Sequence, residues 1–326
     1  MKLCVFGAGA IGGLIAGRLA QAGQPVSVVA RGPHLAAIQR DGLTVRWAGG
    51  AWNGRITATA RAEELGVQDI VVIAVKTCSL AAALPGIAPL VGPDTAIVPA
   101  MNGVPWWFFS GSGAGRSQTR LDNLDPDGRI AAALPAHQVV GCVVYPTAHL
   151  AAPGIVQHTG RWEVYLGDPD RADSSRSRDL HARLCQAGFL SNLTDNIRLE
   201  IWRKLIGNAA FNPISALTRA TLDKMLADAE VYTLLKTLMG ETIAVGRALG
   251  LDTGETPDAR LERGRPMGNI KFSMLQDLEQ GRPMEHEALS GAVAAIGDQV
   301  GVPTLTMHSV HGLIRTLAVS LQTPGI

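Results

Sequence analysis

Residues 7 to 12 read Gly7-Ala8-Gly9-Ala10-Ile11-Gly12, and the segments that flank this run leave few folds open. Before it, Lys2 to Phe6 is a short apolar stretch rich in strand formers. After it, Ile11 to Ala22 places Ile11, Leu14, Ile15, Arg18, Leu19 and Ala22 at helical spacing, with Gly23 just past the end. Pro25 to Ala30 is a second apolar run, suited to a buried parallel strand. Strand, glycine turn, helix and strand are the opening of a doubly wound α/β sheet, the setting in which G-x-G-x-x-G binds a dinucleotide. The first glycine permits the tight turn. The second lets the backbone approach a pyrophosphate, which sits on N–H groups at the positive end of the helix. The third lets helix and sheet pack closely. A chain with 37 glycines can produce such a run by chance, but chance does not supply the strand before it and the helix after it.

An acidic residue commonly ends the second strand of this arrangement and holds the ribose 2′-hydroxyl of NAD. Here Ser27-Val28-Val29-Ala30 is followed by Arg31. A carboxylate would repel a 2′-phosphate, whereas a guanidinium grips it with charge-assisted hydrogen bonds. The expected cofactor is therefore NADP(H).

The chain has 326 residues, 47% of them hydrophobic, enough for two domains at about 150 residues each. Lys and Arg total 29 and Asp and Glu 28, a net charge of +1. That balance argues against nucleic acid and anionic membrane surfaces as partners. Cys4, Cys78, Cys142 and Cys185 are scattered without a C-x-x-C pair, which suits a reducing cytoplasm, and no metal site is assigned. The N-terminus carries one lysine and runs straight into the glycine turn, so no signal peptide is expected. No apolar run reaches the ~20 residues of a membrane span.

Further along, Leu43 to Trp47 and Arg55 to Ala60 read as strands, with turn signals at Gly49-Gly50 and Asn53-Gly54. Asp69 to Val75 is a buried strand ending at Lys76. Leu80 to Leu90 is a short helix, and Thr95 to Pro99 a strand ending at Met101-Asn102-Gly103. Polar residues thus follow the carboxyl ends of the strands, where doubly wound sheets bind ligands. Val104 to Ala136 reads as an insertion. Its run Trp106-Trp107-Phe108-Phe109 either walls a pocket or anchors the loop. Val139 to Tyr145 is a strand, Gly154 to His158 and Trp162 to Leu166 read as a hairpin bent at Thr159-Gly160, and Ser174 to Gln186 is a helix. From Asn196 the pattern is almost wholly helical: Ile197 to Phe211, Ala220 to Lys224, Ala229 to Leu249, Ser273 to Glu279, Pro283 to Val300, and Thr304 to Ser320. The expected boundary lies near 193, dividing a dinucleotide-binding domain (1–193) from a helical domain for substrate and dimerisation (194–326).

The first long helix of the second part carries Lys204, Asn208 and Asn212, four residues apart. At ~100° per residue each step of four drifts only ~40°, so the three share one face. Buried amides are costly unless hydrogen-bonded, so the stripe belongs to a polar pocket or to the surface. Glu200, four residues before Lys204, offers the alternative of an ordinary surface ion pair. Asn212 before Pro213 offers the alternative of a helix end.

The chain resembles the ketopantoate reductase (2-dehydropantoate 2-reductase) family. The resemblance is carried by Gly7–Gly12 with Arg31, by Val75-Lys76, by Asn102-Gly103 and by Trp202-Arg203-Lys204 with Asn208 and Asn212-Pro213. It continues through Ser273-Met274-Leu275-Gln276-Asp277 to Glu285 and Gly291. It implies an N-terminal Rossmann domain and an all-helical C-terminal domain of the 6-phosphogluconate dehydrogenase type. It implies NADPH-dependent reduction of a 2-oxo acid, most directly ketopantoate to pantoate on the route to pantothenate and coenzyme A. Lys204 matches the proton donor, Asn208 and Asn212 the substrate-holding amides, and Ser273 a carboxylate-binding serine. Asn102 matches a residue near both nicotinamide and substrate. Arg31 and Lys76 match groups around the 2′-phosphate and adenosine, and Glu285, in the first turn of its expected helix, a glutamate at the cofactor end. Ala148 corresponds loosely to a further cofactor contact.

The sequence also departs from the family. Ile270 stands where a polar residue is common, and the aromatic insertion has no counterpart in shorter members, which leaves room for a bulkier 2-oxo acid. The chemistry of an ammonium beside a reacting ketone supports the reductase reading independently, because charge develops on the oxygen as hydride arrives. Two other readings stand beside it: a dehydrogenase of the same plan acting on another small hydroxy or oxo acid, and a non-catalytic NADP-binding regulator. The helix Ala229 to Leu249 and the C-terminal helices offer faces for a homodimer.

Overall fold

The computed structural model describes residues 1–111, 120–170 and 174–321. Part of the glycine- and serine-rich stretch of the insertion, residues 112–119, lies outside the described residues. The chain forms two compact units. The first comprises residues 1–101, 107–111, 128–170 and 174–197; the second comprises 102–106, 120–127 and 198–321.

In the first unit β1 (Leu3–Phe6), α1 (Ala10–Gln21), β2 (Val26–Val29), α2 (Gly32–Asp41), β3 (Leu43–Trp47), β4 (Gly50–Gly54), β5 (Thr57–Thr59), β6 (Ile70–Ile73), α3 (Leu80–Ile87) and β7 (Ala96–Pro99) follow in order. Within the insertion lies α4 (Arg129–Ala133), and after it come β8 (Gly141–Val144), β9 (Ala148–Ala152), β10 (Ile155–His158), β11 (Glu163–Gly167), α5 (Ser175–Gln186) and β12 (Leu190–Leu193). Strands β5-β2-β1-β6-β7 form one all-parallel sheet. Strands are added to one side of β1 (β2, β5) and then to the other (β6, β7), which makes the carboxyl end of β1 the switch point where such sheets bind ligands. Its strands are short, apolar and buried, as a sheet covered on both faces requires.

Three glycines explain how α1 fits. A Cβ on Gly12 would lie 2.0 Å from the Gly7 carbonyl oxygen, one on Gly13 2.8 Å from Val156 of β10, and one on Gly17 2.3 Å from Val45 of β3. The helix is therefore wedged between the parallel sheet and a second sheet of order β4-β3-β10-β9. Glycine costs about 1 kcal/mol of helix propensity per position, offset here by close packing on two sides. Leu14, Ile15, Ala16 and Leu19 join Val5, Val28, Val45 and Val156 in one core.

The expected hairpin of 154–158 with 162–166 does not form. β10 pairs antiparallel with β9 and parallel with β3, whereas β11 belongs to a third sheet, β12-β11-β8. A turn between two apolar runs suggested pairing, but each run buries its face against a distant strand. Asn53-Gly54 is likewise the end of a strand, not a turn; Gly54 pairs with Leu43.

The second unit contains α6 (Ile197–Thr218), α7 (Leu222–Ala227), α8 (Ala229–Ala248), α9 (Pro257–Gly264), α10 (Ser273–Glu279), a π-helical segment at Glu287–Gly291, α11 (Ala292–Val300) and α12 (Leu305–Ser320). The α6 helix runs straight through Pro213 instead of ending at Asn212, and α9 was not expected from periodicity. The expected helix from Pro283 starts later: residues 283–286 are not helical, so Glu285 precedes the helix and is not in its first turn. Trp202, fully buried, fixes the rotation of α6. Its Nε1 donates to the Thr242 carbonyl of α8 at 3.0 Å, and its ring fills the space that the missing Cβ of Gly246 leaves. No helix among the described residues is long and apolar enough to cross a membrane.

Candidate active site

The turn after β1 is built as an anion cradle. Gly7 has φ +96°, a left-handed conformation that favours glycine, and its N–H and that of Ala8 donate to the Val29 carbonyl at the end of β2. Gly9 caps α1 with no side-chain hydrogen bond, and the first turn of the helix carries no acidic residue. The N–H groups of Ala10, Ile11 and Gly12 have no intrahelical acceptor and point out of the positive helix end. A Cβ on Gly9 would meet no protein atom within 4 Å. Neither φ nor packing demands glycine there; the open space suits an approaching phosphate. The turn thus requires Gly7 and the packing requires Gly12, while Gly9 faces open space.

Arg31 follows β2 at the N-terminus of α2. It is exposed, and its guanidinium has no hydrogen bond or ion pair among the described residues. Lys76, half-buried, follows β6 at the start of the short turn Thr77–Ser79. Parallel pairing of β2, β1 and β6 sets Arg31, the glycine turn and Lys76 at the same edge of the sheet. Ala148 opens β9 in the second sheet, opposite His158, on a strand that touches α1. One turn beyond Arg31, His34 accepts the Gly154 N–H at Nδ1 (2.9 Å), and burial holds its imidazole below the usual range. Cys4, buried in β1, has its thiol pushed up to about 11 by desolvation, which makes it an inert packing residue.

In the second unit Lys204 Nζ donates to Asn102 Oδ1 at 2.7 Å. Glu200 instead pairs with Arg203, so the alternative of a Glu200–Lys204 surface pair does not hold. Lys204 lies about 200° around α6 from the buried Trp202, so anchoring one turns the other outward. Asn208 is half-buried, and its side-chain amide makes no hydrogen bond among the described residues. Asn212 is different: it is 2% exposed and its amide is committed. Oδ1 accepts from Ser273 Oγ (3.0 Å) and Met274 N (3.2 Å), and Nδ2 donates to the Asn208 carbonyl (3.2 Å). The asparagine therefore caps α10 and sets the position of Ser273. The Ser273 hydroxyl spends its proton on Asn212 and presents lone pairs outward. The structure thus gathers Asn102 with Lys204, and Asn212 with Ser273, along one helix. Glu285 is half-buried just before the π-helical segment.

The aromatic run is mostly an anchor. Trp107, Phe108 and Phe109 are buried, the two phenylalanines edge to face at 5.1 Å, which leaves only half-buried Trp106 for a pocket wall. Sequence reasoning also passed over Arg260, brought by α9 against Gly207, where a Cβ would meet Nη2 at 2.7 Å. The signal was available: a glycine between Lys204 and Asn208 on the stripe-bearing helix.

A parallel sheet with a glycine-lined anion cradle, followed by a helical unit presenting a lysine–amide stripe, defines a nicotinamide-nucleotide-dependent oxidoreductase of two-unit plan. The family description "Ketopantoate reductase PanE/ApbA" matches residues 3–171, and "Ketopantoate reductase PanE/ApbA C terminal" matches 196–318. The chain belongs to the ketopantoate reductase family. It is 46% identical to a 2-dehydropantoate 2-reductase of Mesorhizobium japonicum over 98% of both chains. A Ralstonia solanacearum MolK2 structure, provisionally described as a ketopantoate reductase, is 40% identical with a TM-score of 0.92 over 99% of both chains. The fold is also that of a D-mandelate dehydrogenase solved with NADH and anilino(oxo)acetate (TM-score 0.84, 23% identity, 99% and 100% coverage).

Proposed function

We propose that the chain reduces a 2-oxo acid to the 2-hydroxy acid with NADPH, with 2-dehydropantoate (ketopantoate) as substrate and pantoate, the precursor of pantothenate and coenzyme A, as product. The observation that carries this reading is the Lys204–Asn102 hydrogen bond. It fixes the position of the ammonium, the group that a reduced carbonyl oxygen needs beside it. The naming of the Mesorhizobium relative supports the reaction.

The bound nicotinamide supplies the hydride, which goes to the carbonyl carbon. Lys204 stabilises the charge growing on the carbonyl oxygen and delivers the proton that completes the hydroxyl. Asn102 orients the Lys204 ammonium. Asn208, whose amide makes no side-chain hydrogen bond among the described residues, donates to the substrate, and Asn212 holds Ser273, whose hydroxyl turns its proton from Asn212 Oδ1 to the substrate carboxylate. The backbone from Gly7 through Ala8, Gly9, Ala10 and Ile11 to Gly12 holds the pyrophosphate. Arg31 grips the 2′-phosphate, which favours NADPH over the NADH found with the mandelate enzyme. Lys76, Asn102, Ala148 and Glu285 complete the cofactor contacts. The scattered positions of Cys4, Cys78, Cys142 and Cys185 suit a cytoplasmic setting.

The test is turnover on a panel of 2-oxo acids with each nicotinamide cofactor. The expected result is the highest kcat/KM with ketopantoate and NADPH. Absence of turnover with every 2-oxo acid overturns the reading; NADH preferred over NADPH overturns its cofactor part.

A further inference from the structure

Around the π-helical segment of the second unit three side chains converge with their acceptor atoms facing one another. His286 Nδ1 lies 3.5 Å from Glu287 Oε1, and His311 Nε2, from α12, lies 3.6 Å from Glu287 Oε2. One ligand atom from each of the three residues falls within 4.8 Å of the others. These separations are too long for hydrogen bonds. The two contacts, each to its own carboxylate oxygen, are close to the spacing of about 3.4 Å between ligands of a tetrahedral ion with bonds of about 2.1 Å, and a modest side-chain adjustment brings the wider pair into that range.

The hydrogen bonds around the cluster leave lone pairs aimed inward. Ser290 Oγ donates to the His286 carbonyl at 3.2 Å, so its contact with His311 Nδ1, also 3.2 Å, takes the imidazole proton there. That assigns the tautomer and leaves His311 Nε2 as a bare acceptor toward the carboxylate. His286 Nδ1 is buried with no hydrogen-bond partner. Asn123 holds the carboxylate from behind, its Nδ2 donating to Glu287 Oε2 (3.2 Å) and to the Glu287 carbonyl (3.0 Å). Gly291 keeps the space open: a Cβ there would stand 2.7 Å from Glu287 Oε2 and 2.8 Å from His311 Cε1. Burial holds both imidazoles below their usual range, with exposed Arg315 adding to the effect and Glu287 opposing it.

An ion set among these three side chains would satisfy His286 Nδ1, which has no hydrogen-bond partner, together with His311 Nε2 and the Glu287 carboxylate. We infer that His286, Glu287 and His311 form a binding site for a divalent late transition ion, zinc foremost, with a water in the fourth position. Ser290 and Asn123 are the partners that orient its ligands, as the outer contacts of metal sites do. The site stands apart from the reductase reading and would brace the segment on which the Asn102 loop rests. There Val104 N donates to the Ala288 carbonyl at 2.8 Å, and a Cβ on Gly103 would lie 2.3 Å from the same oxygen. The sequence hides the site because His311 comes from a separate helix and the neighbouring donors fall at 286 and 287.

The test uses the chelator-treated full-length chain, titrated with CoCl2 and then ZnCl2. The expected result is one equivalent of bound cobalt with the visible bands of a low-coordinate nitrogen–oxygen site, displaced by zinc, and a raised melting temperature in zinc. Glu287→Gln and His311→Gln should each weaken zinc binding by about tenfold or more. Cys185→Ser, which removes the His181–Cys185 pair on α5 as a competing site, should leave it unchanged. The inference is overturned by the absence of stoichiometric binding to the wild type, or by binding that survives Glu287→Gln undiminished. The latter variant keeps shape and is the deciding one if His311→Gln fails to fold.

Discussion

The ammonium of Lys204 is hydrogen-bonded to the side-chain carbonyl of Asn102, 102 residues earlier in the chain, at 2.7 Å. Asn102 comes three residues after β7, and Lys204 sits on α6 with its direction set by the buried Trp202. The amide oxygen of Asn102 orients the lysine. Asn102→Ala should therefore lower kcat by about 10–100-fold, a loss of orientation and not of charge, while the melting temperature changes little. Steady-state kinetics beside a thermal melt check this; an unaltered kcat removes Asn102 from the reaction.

Asn208 and Asn212 look equivalent in sequence and are not. Asn212→Ala strands the Met274 N–H and the Ser273 hydroxyl, an expected loss of about 1–3 kcal/mol for the buried N–H alone. Asn208→Ala breaks no side-chain hydrogen bond and should leave stability within about 0.5 kcal/mol while raising KM for the 2-oxo acid. Denaturant unfolding of both variants decides; equal destabilisation would contradict the distinction.

The glycines of the cradle separate in the same way. Gly12→Ala drives a methyl to 2.0 Å from the Gly7 carbonyl and should compromise folding. Gly9→Ala meets no protein atom, so the fold should melt normally while NADPH binding weakens. Fluorescence titration of NADPH into the folded Gly9→Ala protein is the check, and wild-type affinity would show that no phosphate approaches there.

Arg31→Asp should weaken NADPH binding by about 10–100-fold, the worth of a charged hydrogen bond at about 1.5–3 kcal/mol, and leave NADH binding equal or better. Because Arg31 is exposed and has no partner among the described residues, stability should not move. An unchanged cofactor preference would show that another group reads the 2′-phosphate.

What the sequence discloses is local. The glycine turn, with a strand before it and a helix after it, needed no distant information. Helix α5 was legible as Ser174 to Gln186, one residue longer than the helix that Ser174 caps by accepting the Ser177 N–H, and α10 was legible at both ends. Strand pairing was not. Gly154 to His158 carries the alternation of a hairpin arm, but its partner β3 lies more than a hundred residues away, and nothing in either segment names the other. Proline misled twice: Pro213 sits inside a helix whose flanking packing outweighs one lost hydrogen bond, and Pro283 precedes an extended stretch instead of a first turn. The stripe of Lys204, Asn208 and Asn212 was visible as a helix face. Which amide is committed to the fold, and which is left open, depends on Ser273 and could be read only from the assembled chain.

The central claim is that Lys204 delivers the proton in the reduction of a 2-oxo acid. The most direct measurement compares kcat with ketopantoate and the dissociation constant for NADPH in the wild type and in Lys204→Ala. The account predicts kcat lower by about 10²–10⁴-fold, the usual worth of a general acid, with NADPH binding unchanged within about twofold, well under the tenfold that 1.4 kcal/mol would bring. A Lys204→Ala enzyme that turns over at the wild-type rate would contradict it.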